Sequence, residues 1–227
     1  MTLCNEKVMV LAAALPMESS FFLKMLSKVE KIVTKATFSI STGYTHGKRI
    51  FLLTSGPGGD NATLAHEFLH SNLNVGQVIT FGLAGALEKN LSVGDIVIPS
   101  SVGVAEGGPD DDLPLDPVYQ AAEYRGDVFC GGLALQSSQP LGPEQKRTLS
   151  GRGAICVDME SHTAATIAKK HDARHSVVRV ISDEVNTPLD LTNPKADVRF
   201  MASARMAGER NARFLDAMLA GEGNRVG

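Results

Sequence analysis

Apolar runs of strand length recur along the chain between segments of helical period, as in Val8–Leu15, Gln77–Phe81 and Ser176–Ile181. Runs this short and continuously apolar are those of strands covered on both faces, and the segments between them are the helical crossovers that parallel strands require. The expected fold class is α/β. Further candidate strands are Thr37–Thr45, Arg49–Thr54, Asp95–Pro99 and Ala154–Val157. His46-Gly47-Lys48, between Tyr44 and Arg49, resembles a hairpin turn, so the strands on either side are expected to pair antiparallel and to make the sheet mixed. Helices are expected over Met17–Val29, Asp60–Asn72, Pro143–Ser150, Glu160–His171 and Lys195–Ala220. In the last of these Leu215, Met218 and Leu219 share one face, while Arg199, Arg205, Arg210 and Arg213 read as solvated surface.

With 227 residues, 43% of them hydrophobic and 21% charged, the chain can bury a substantial core, and one domain is expected over residues 1–220 with 221–227 frayed. A net charge of −3 gives no electrostatic footprint for nucleic acid or an anionic membrane. Small molecules or other subunits are the expected partners. Cys4, Cys130 and Cys156 form no CxxC pair, and no histidine stands at metal-finger spacing, which reads as a reduced, cytoplasmic protein with neither metal nor cofactor. The run Val8–Leu15 meets Pro16 and Glu18 at once and fits a buried strand better than a signal peptide; no stretch approaches the ~20 apolar residues of a membrane span. Glu106–Pro117 is an acidic, Gly/Pro-rich loop whose consecutive aspartates diverge, so a solvated turn is expected there.

Isolated acids at the ends of apolar strands carry the functional signal. Glu18 follows the first strand; it either complements a helix dipole or serves as a general base at the carboxyl end of the strand, where open α/β sheets bind ligands. Asp158 suits a helix N-cap. Glu160 can accept both hydroxyls of a vicinal diol, the way a ribose is held. Asp183 ends the run Val177–Ser182 and is either an Asx-type cap or an acid kept protonated by desolvation that donates to a base nitrogen. Arg179, inside that strand, needs a carboxylate partner, and Glu18 or Glu160 would serve. His162 reads as a surface or capping residue. Thr54–Ala62 is Gly-rich and leads into a helix, so its N–H groups can face an anion, but it lacks the signatures of a P-loop and of a dinucleotide fold. A second small-residue turn, Phe81-Gly82-Leu83-Ala84-Gly85-Ala86, lets a flat ligand approach the backbone.

These segments together resemble the nucleoside phosphorylase and nucleosidase superfamily, most closely the methylthioadenosine/S-adenosylhomocysteine nucleosidases. The resemblance runs through LAAALPMES, STGYTHGKRIFLLTSGPGG, TFGLAGALEKNLSVGDIVIPS, VDMES and VRVISDEVN, in order and spacing. It implies a three-layer αβα sandwich with a mixed central sheet, a homodimer, and hydrolysis of the N-glycosidic bond of a purine nucleoside, an adenosine derivative with a 5′ substituent. By the same resemblance Glu18 activates the water, Gly82 lies in the substrate turn, Met159 and Glu160 clamp the ribose, Asp183 protonates N7 with Ser182 supporting it, and Arg179 helps place the water. Phosphorolysis and nucleoside binding without catalysis are the alternatives; ITFGLAGA carries no Lys or Arg for phosphate, which favours water. Leu83 stands where the nucleosidases have a serine, and the segment before VDMES lacks their adenine-stacking aromatic. That segment, with its K-R-x-L run and VDMESH, resembles instead the hopanoid-associated branch, which implies a bulky apolar 5′ group of the adenosylhopane kind.

Overall fold

The computed structural model describes residues 4–118, 127–188 and 198–222. Its strands are β1 (Cys4–Ala13), β2 (Ser27–Thr34), β3 (Ser39–Thr45), β4 (Lys48–Thr54), β5 (Leu73–Ala86), β6 (Ile96–Ile98), β7 (Ser101–Val104), β8 (Leu113–Pro114), β9 (Val128–Cys130), β10 (Leu133–Gln136), β11 (Ala154–Asp158) and β12 (Arg174–Asp183). The helices are α1 (Pro16–Leu23), α2 (Gly59–Asn72), α3 (Pro143–Ser150), α4 (Ser161–Lys170) and α5 (Val198–Glu222).

All strands belong to one mixed sheet, ordered β2-β3-β4-β1-β5-β11-β10-β7-β8, with β12 beside β5 and β6 beside both β12 and β9. The sheet branches at β5. It runs parallel to β1 and β12, and its last residues, Gly85 and Ala86, pair antiparallel with Val157 and Cys156 of β11. Helices cover both faces, giving the expected αβα sandwich. Leu11, Ile79, Phe81, Val178 and Val180 meet Phe22 of α1 and Phe214, Leu215, Met218 and Leu219 of α5 on one side. On the other, Val10, Ala12 and Val78 pack against Ala65 and Leu69 of α2, while Val177 and Ile181 pack with Ala165 of α4. Strand alternation accounts for this division, since successive side chains point to opposite faces.

The β3–β4 hairpin forms as expected, in register from Ser39↔Thr54 to Thr45↔Lys48, and its turn takes positive φ at His46 (47°) and Gly47 (74°). Those signs are what a tight hairpin turn requires. The expected helix Met17–Val29 is shorter. It stops at Leu23, and Ser27–Thr34 becomes the edge strand β2, paired antiparallel with β3. Gly43 makes room for the connection, because a Cβ there would sit 2.9 Å from Leu26 Cβ. The expected strand Gln77–Phe81 extends to fourteen residues. Of the last helix, residues 195–197 and the Arg199 side chain lie outside the described residues, as does 223–227; Arg205, Arg210 and Arg213 are exposed as expected. The acidic loop holds a 3-10 turn at Pro109–Asp111. No helix among the described residues is long and apolar enough to cross a membrane.

Between the sheet and the α2/α4 layer lie buried imidazoles. His175 Nε2 is 2.7 Å from Thr80 Oγ1, and neither its Nδ1 nor that of His66 has a hydrogen-bond partner among the described residues. Burial, reinforced by neighbouring histidines, pushes the pKa of His66 and of His175 down to about 3. Both rings are therefore neutral in the fold, while the unfolded chain takes up protons below pH ~6.5. Each ring thus removes ~1.4 kcal/mol of stability per pH unit as pH falls from about 6.5. The melting temperature is expected to drop steeply between pH 6.5 and 4.5, and His66→Gln should flatten that slope; parallel curves for the two proteins would refute this origin.

Candidate active site

Arg179 occupies the same face of β12 as Val177 and Ile181, so alternation drives a guanidinium into an apolar layer at 1% exposure. It is held there by the turn between β11 and α4. Arg179 Nε donates to Asp158 Oδ2 at 2.9 Å, and Nη2 to Ser161 Oγ at 2.7 Å. Asp158 Oδ1 meanwhile accepts the N–H groups of Glu160 (3.0 Å) and Ser161 (2.9 Å), the donors exposed at the start of α4. The N-cap of α4 is therefore Glu160 rather than the expected Asp158, which lies two residues ahead and binds the N–H groups of the cap and of the first helical residue; Asp158 is also the counter-ion of Arg179, a role the sequence reading gave to Glu18 or Glu160. Burial works against the guanidinium charge, but Asp158, Glu160 and Glu18 more than offset it and move its pKa up.

Glu18, 3% exposed, lies in the first turn of α1. Its Oε2 accepts the N–H of Leu15 at 2.7 Å, and its Oε1 that of Leu83 at 2.9 Å. One carboxylate thus caps its own helix and ties it to β5. Burial pushes its pKa up, opposed by those backbone N–H groups and by Arg179. Gly82, paired in register with Arg179, makes this approach possible. Its φ is +150°, and a Cβ would fall 2.5 Å from Glu18 Oε1 and 2.9 Å from Arg179 Nη1.

Glu160 ends the same turn, 7% exposed, with Oε1 accepting the Gly58 N–H at 2.7 Å. The Gly-rich segment thus turns that donor to a carboxylate of its own chain. Burial, with Asp158 and Glu18 nearby and Arg179 opposing, pushes the pKa of Glu160 up to about 7. Met159 lies half-buried beside it. At the end of β12, Ser182 Oγ stands 2.7 Å from Asp183 Oδ1. Asp183 Oδ2 pairs with the ammonium of Lys146 of α3, the first residue of the K-R-x-L run, to which the sequence assigned no role in the site.

Glu18, Met159, Glu160, Ser182, Asp183 and Lys146 line one cavity, with Leu83, Leu141 and Val157 among its apolar walls. The cavity has a volume of about 140 Å³ and opens to solvent. Gly82 and Arg179 stand behind the wall, in contact with Glu18 or holding Asp158. His162 is turned elsewhere, its Nε2 3.0 Å from Asp111 O.

The sequence pattern of the phosphorylase superfamily matches residues 8–220. The chain belongs to this superfamily. Curated members similar to it include the 5′-methylthioadenosine/S-adenosylhomocysteine nucleosidases of Oceanobacillus iheyensis, 30% identical over 78% of this chain and 84% of that protein, and of Baumannia cicadellinicola, 29% identical over 75% and 83%. The Neisseria meningitidis nucleosidase, solved in complex with methylthio-immucillin-A, superposes with a TM-score of 0.81 at 22% identity, over 95% of this chain and 100% of that one. Within the phosphorylase superfamily fold, this chain walls its cavity without an aromatic ring among the described residues, and it presents the Leu83 side chain with the Leu83 N–H turned to Glu18.

Gly82→Ala tests the packing. The methyl group would displace Glu18 and Arg179 together, with a stability loss of ~2 kcal/mol or more expected by denaturant unfolding. A loss below about 0.5 kcal/mol would show that the two side chains are not held as described.

Proposed function

We propose that this chain hydrolyses the N-glycosidic bond of a purine nucleoside of the adenosine class, releasing adenine. The observation that carries this reading is the convergence of Glu18, Glu160 and Asp183 on one apolar-walled cavity. In the reaction water adds to C1′ and gives its proton to Glu18, whose burial-raised pKa suits a base. Glu160 accepts the ribose hydroxyls, and its negative charge favours the oxocarbenium-like sugar over the ground state. Asp183, steadied by Ser182, serves N7 of the leaving base. The nucleosidase names carried by the similar proteins support the same reading.

Water is favoured over phosphate by how the cationic and N–H groups are used. Arg179 is engaged by Asp158 and Ser161, Gly58 N–H by Glu160, and Lys146 by Asp183. The aliphatic walls support a nucleoside with an apolar 5′ substituent. A cytoplasmic homodimer completes the proposal. Met25, Val29 and Tyr44, large apolar side chains exposed around the β2–β3 edge, support such a pairing, and light scattering in solution tests it.

Chromatography of a panel of adenosine, methylthioadenosine and S-adenosylhomocysteine should show free adenine at rates indifferent to phosphate; formation of a ribose 1-phosphate would overturn hydrolysis. Glu18→Gln and Asp183→Asn should each lose ~10²-fold or more in kcat while still binding nucleoside. Near-normal turnover in either would remove that residue's role. Glu160→Ala should weaken nucleosides more than adenine. Because burial pushes the pKa of Glu160 up to about 7, nucleoside affinity should fall below that pH as the carboxylate is protonated, with adenine affinity unchanged. Parallel pH profiles for the two ligands would contradict the clamp.

A further inference from the structure

Helix α3 inverts the usual distribution of a surface helix. Its buried residue is Lys146, 1% exposed, while Glu144, Gln145, Arg147 and Thr148 are open to solvent. A buried ammonium persists only where anions or carbonyl groups compensate it. Lys146 Nζ pairs with Asp183 Oδ2 and donates to Glu184 O at 3.1 Å. The backbone has been shaped to admit it. Gly85, in register beside Asp183, would with a Cβ lie 3.0 Å from both Cε and Nζ of Lys146 and 3.1 Å from Asp183 Oδ2. Lys146, Gly85 and Asp183 all face the cavity. The leaving base needs a proton, and Lys146 Nζ, a proton donor, lies directly against the Asp183 carboxyl that faces the cavity.

We propose that Lys146 is the proton source for the departing purine, acting through Asp183; the inference rests on the nucleosidase reading above. As the C1′–N9 bond breaks, its electron pair passes into the purine. One proton moves from Lys146 Nζ to the Asp183 carboxylate, and Asp183 delivers one to N7. Asp183 ends as the carboxylate it began, and Lys146 is left as a neutral amine that solvent reprotonates once the base has gone. Lys146 is therefore a positioning and proton-supplying residue behind Asp183, and Gly85 keeps the space in which the transfer occurs.

The test compares two leaving groups on the same 5′-substituted ribose: adenine, which must be protonated, and 4-nitrophenolate, which departs as a stable anion. Lys146→Met should lower kcat for adenine release by ~10²-fold or more, with KM within about 3-fold, and leave nitrophenolate release within about 3-fold of the parent. Methylamine should restore adenine release to Lys146→Ala. Lys146→Arg keeps a cation against Asp183 but holds its proton at every working pH. It should fold, split nitrophenolate normally and release adenine slowly, and it carries the test if Lys146→Met fails to fold. Equal losses on both substrates, or full adenine release by Lys146→Arg, would overturn the relay alone. A parent protein inert toward every nucleoside and aryl riboside would overturn the nucleosidase reading and the relay with it.

Discussion

The pair formed by Arg179 and Asp158 holds the site in place. Each partner is 1% exposed at the side chain, so neither charge has water to fall back on. The pair joins the middle of β12 to the entry of α4, and through Ser161 and the Glu160 N–H it fixes the turn that presents Met159 and Glu160. Removing one member of such a pair would strand the other, at a cost of ~3–5 kcal/mol. The same guanidinium acts on Glu18 and Glu160, lowering pKa values that burial raises.

A single arginine facing Glu18, Asp158 and Glu160 cannot neutralise them all. Asp158 takes the direct contact; Glu18 and Glu160 are left with raised proton affinity and with backbone N–H partners. That asymmetry leaves Glu18 and Glu160 as the groups ready to take up a proton, as acid–base chemistry at neutral pH needs. At the far end of β12, Lys146 forms a second pair that is independent of the first. Two registered glycines, Gly82 beside Arg179 and Gly85 beside Asp183, let both pairs approach the backbone of β5.

Much of this was legible in the sequence. The apolar runs of β1, β5 and β12 announce buried strands, and the acids at strand ends mark the cavity, because a carboxylate beside such runs demands a purpose. The strand β2 was not legible: SKVEKIVT faces solvent along most of its length, so it lacks the alternation that betrays a half-buried strand. The short strands β9 and β10 hide for the same want of length. Lys146 entered the sequence reading only as the first residue of the K-R-x-L run, because within PEQKRTLS a lysine looks like solvated surface, and only the tertiary contact with Asp183 distinguishes it from Arg147. The partner of Arg179 was misjudged because it depends on how closely the α4 turn approaches β12, which spacing along the chain does not encode.

The claim that these acids surround one nucleoside is tested most directly by a crystal structure of the protein with a non-hydrolysable adenosine analogue. The account predicts ribose hydroxyls within hydrogen-bond distance of Glu160, N7 facing Asp183, and a solvent oxygen between Glu18 and C1′. An analogue seated away from these carboxylates, or with its base and sugar ends reversed between Glu160 and Asp183, would contradict it.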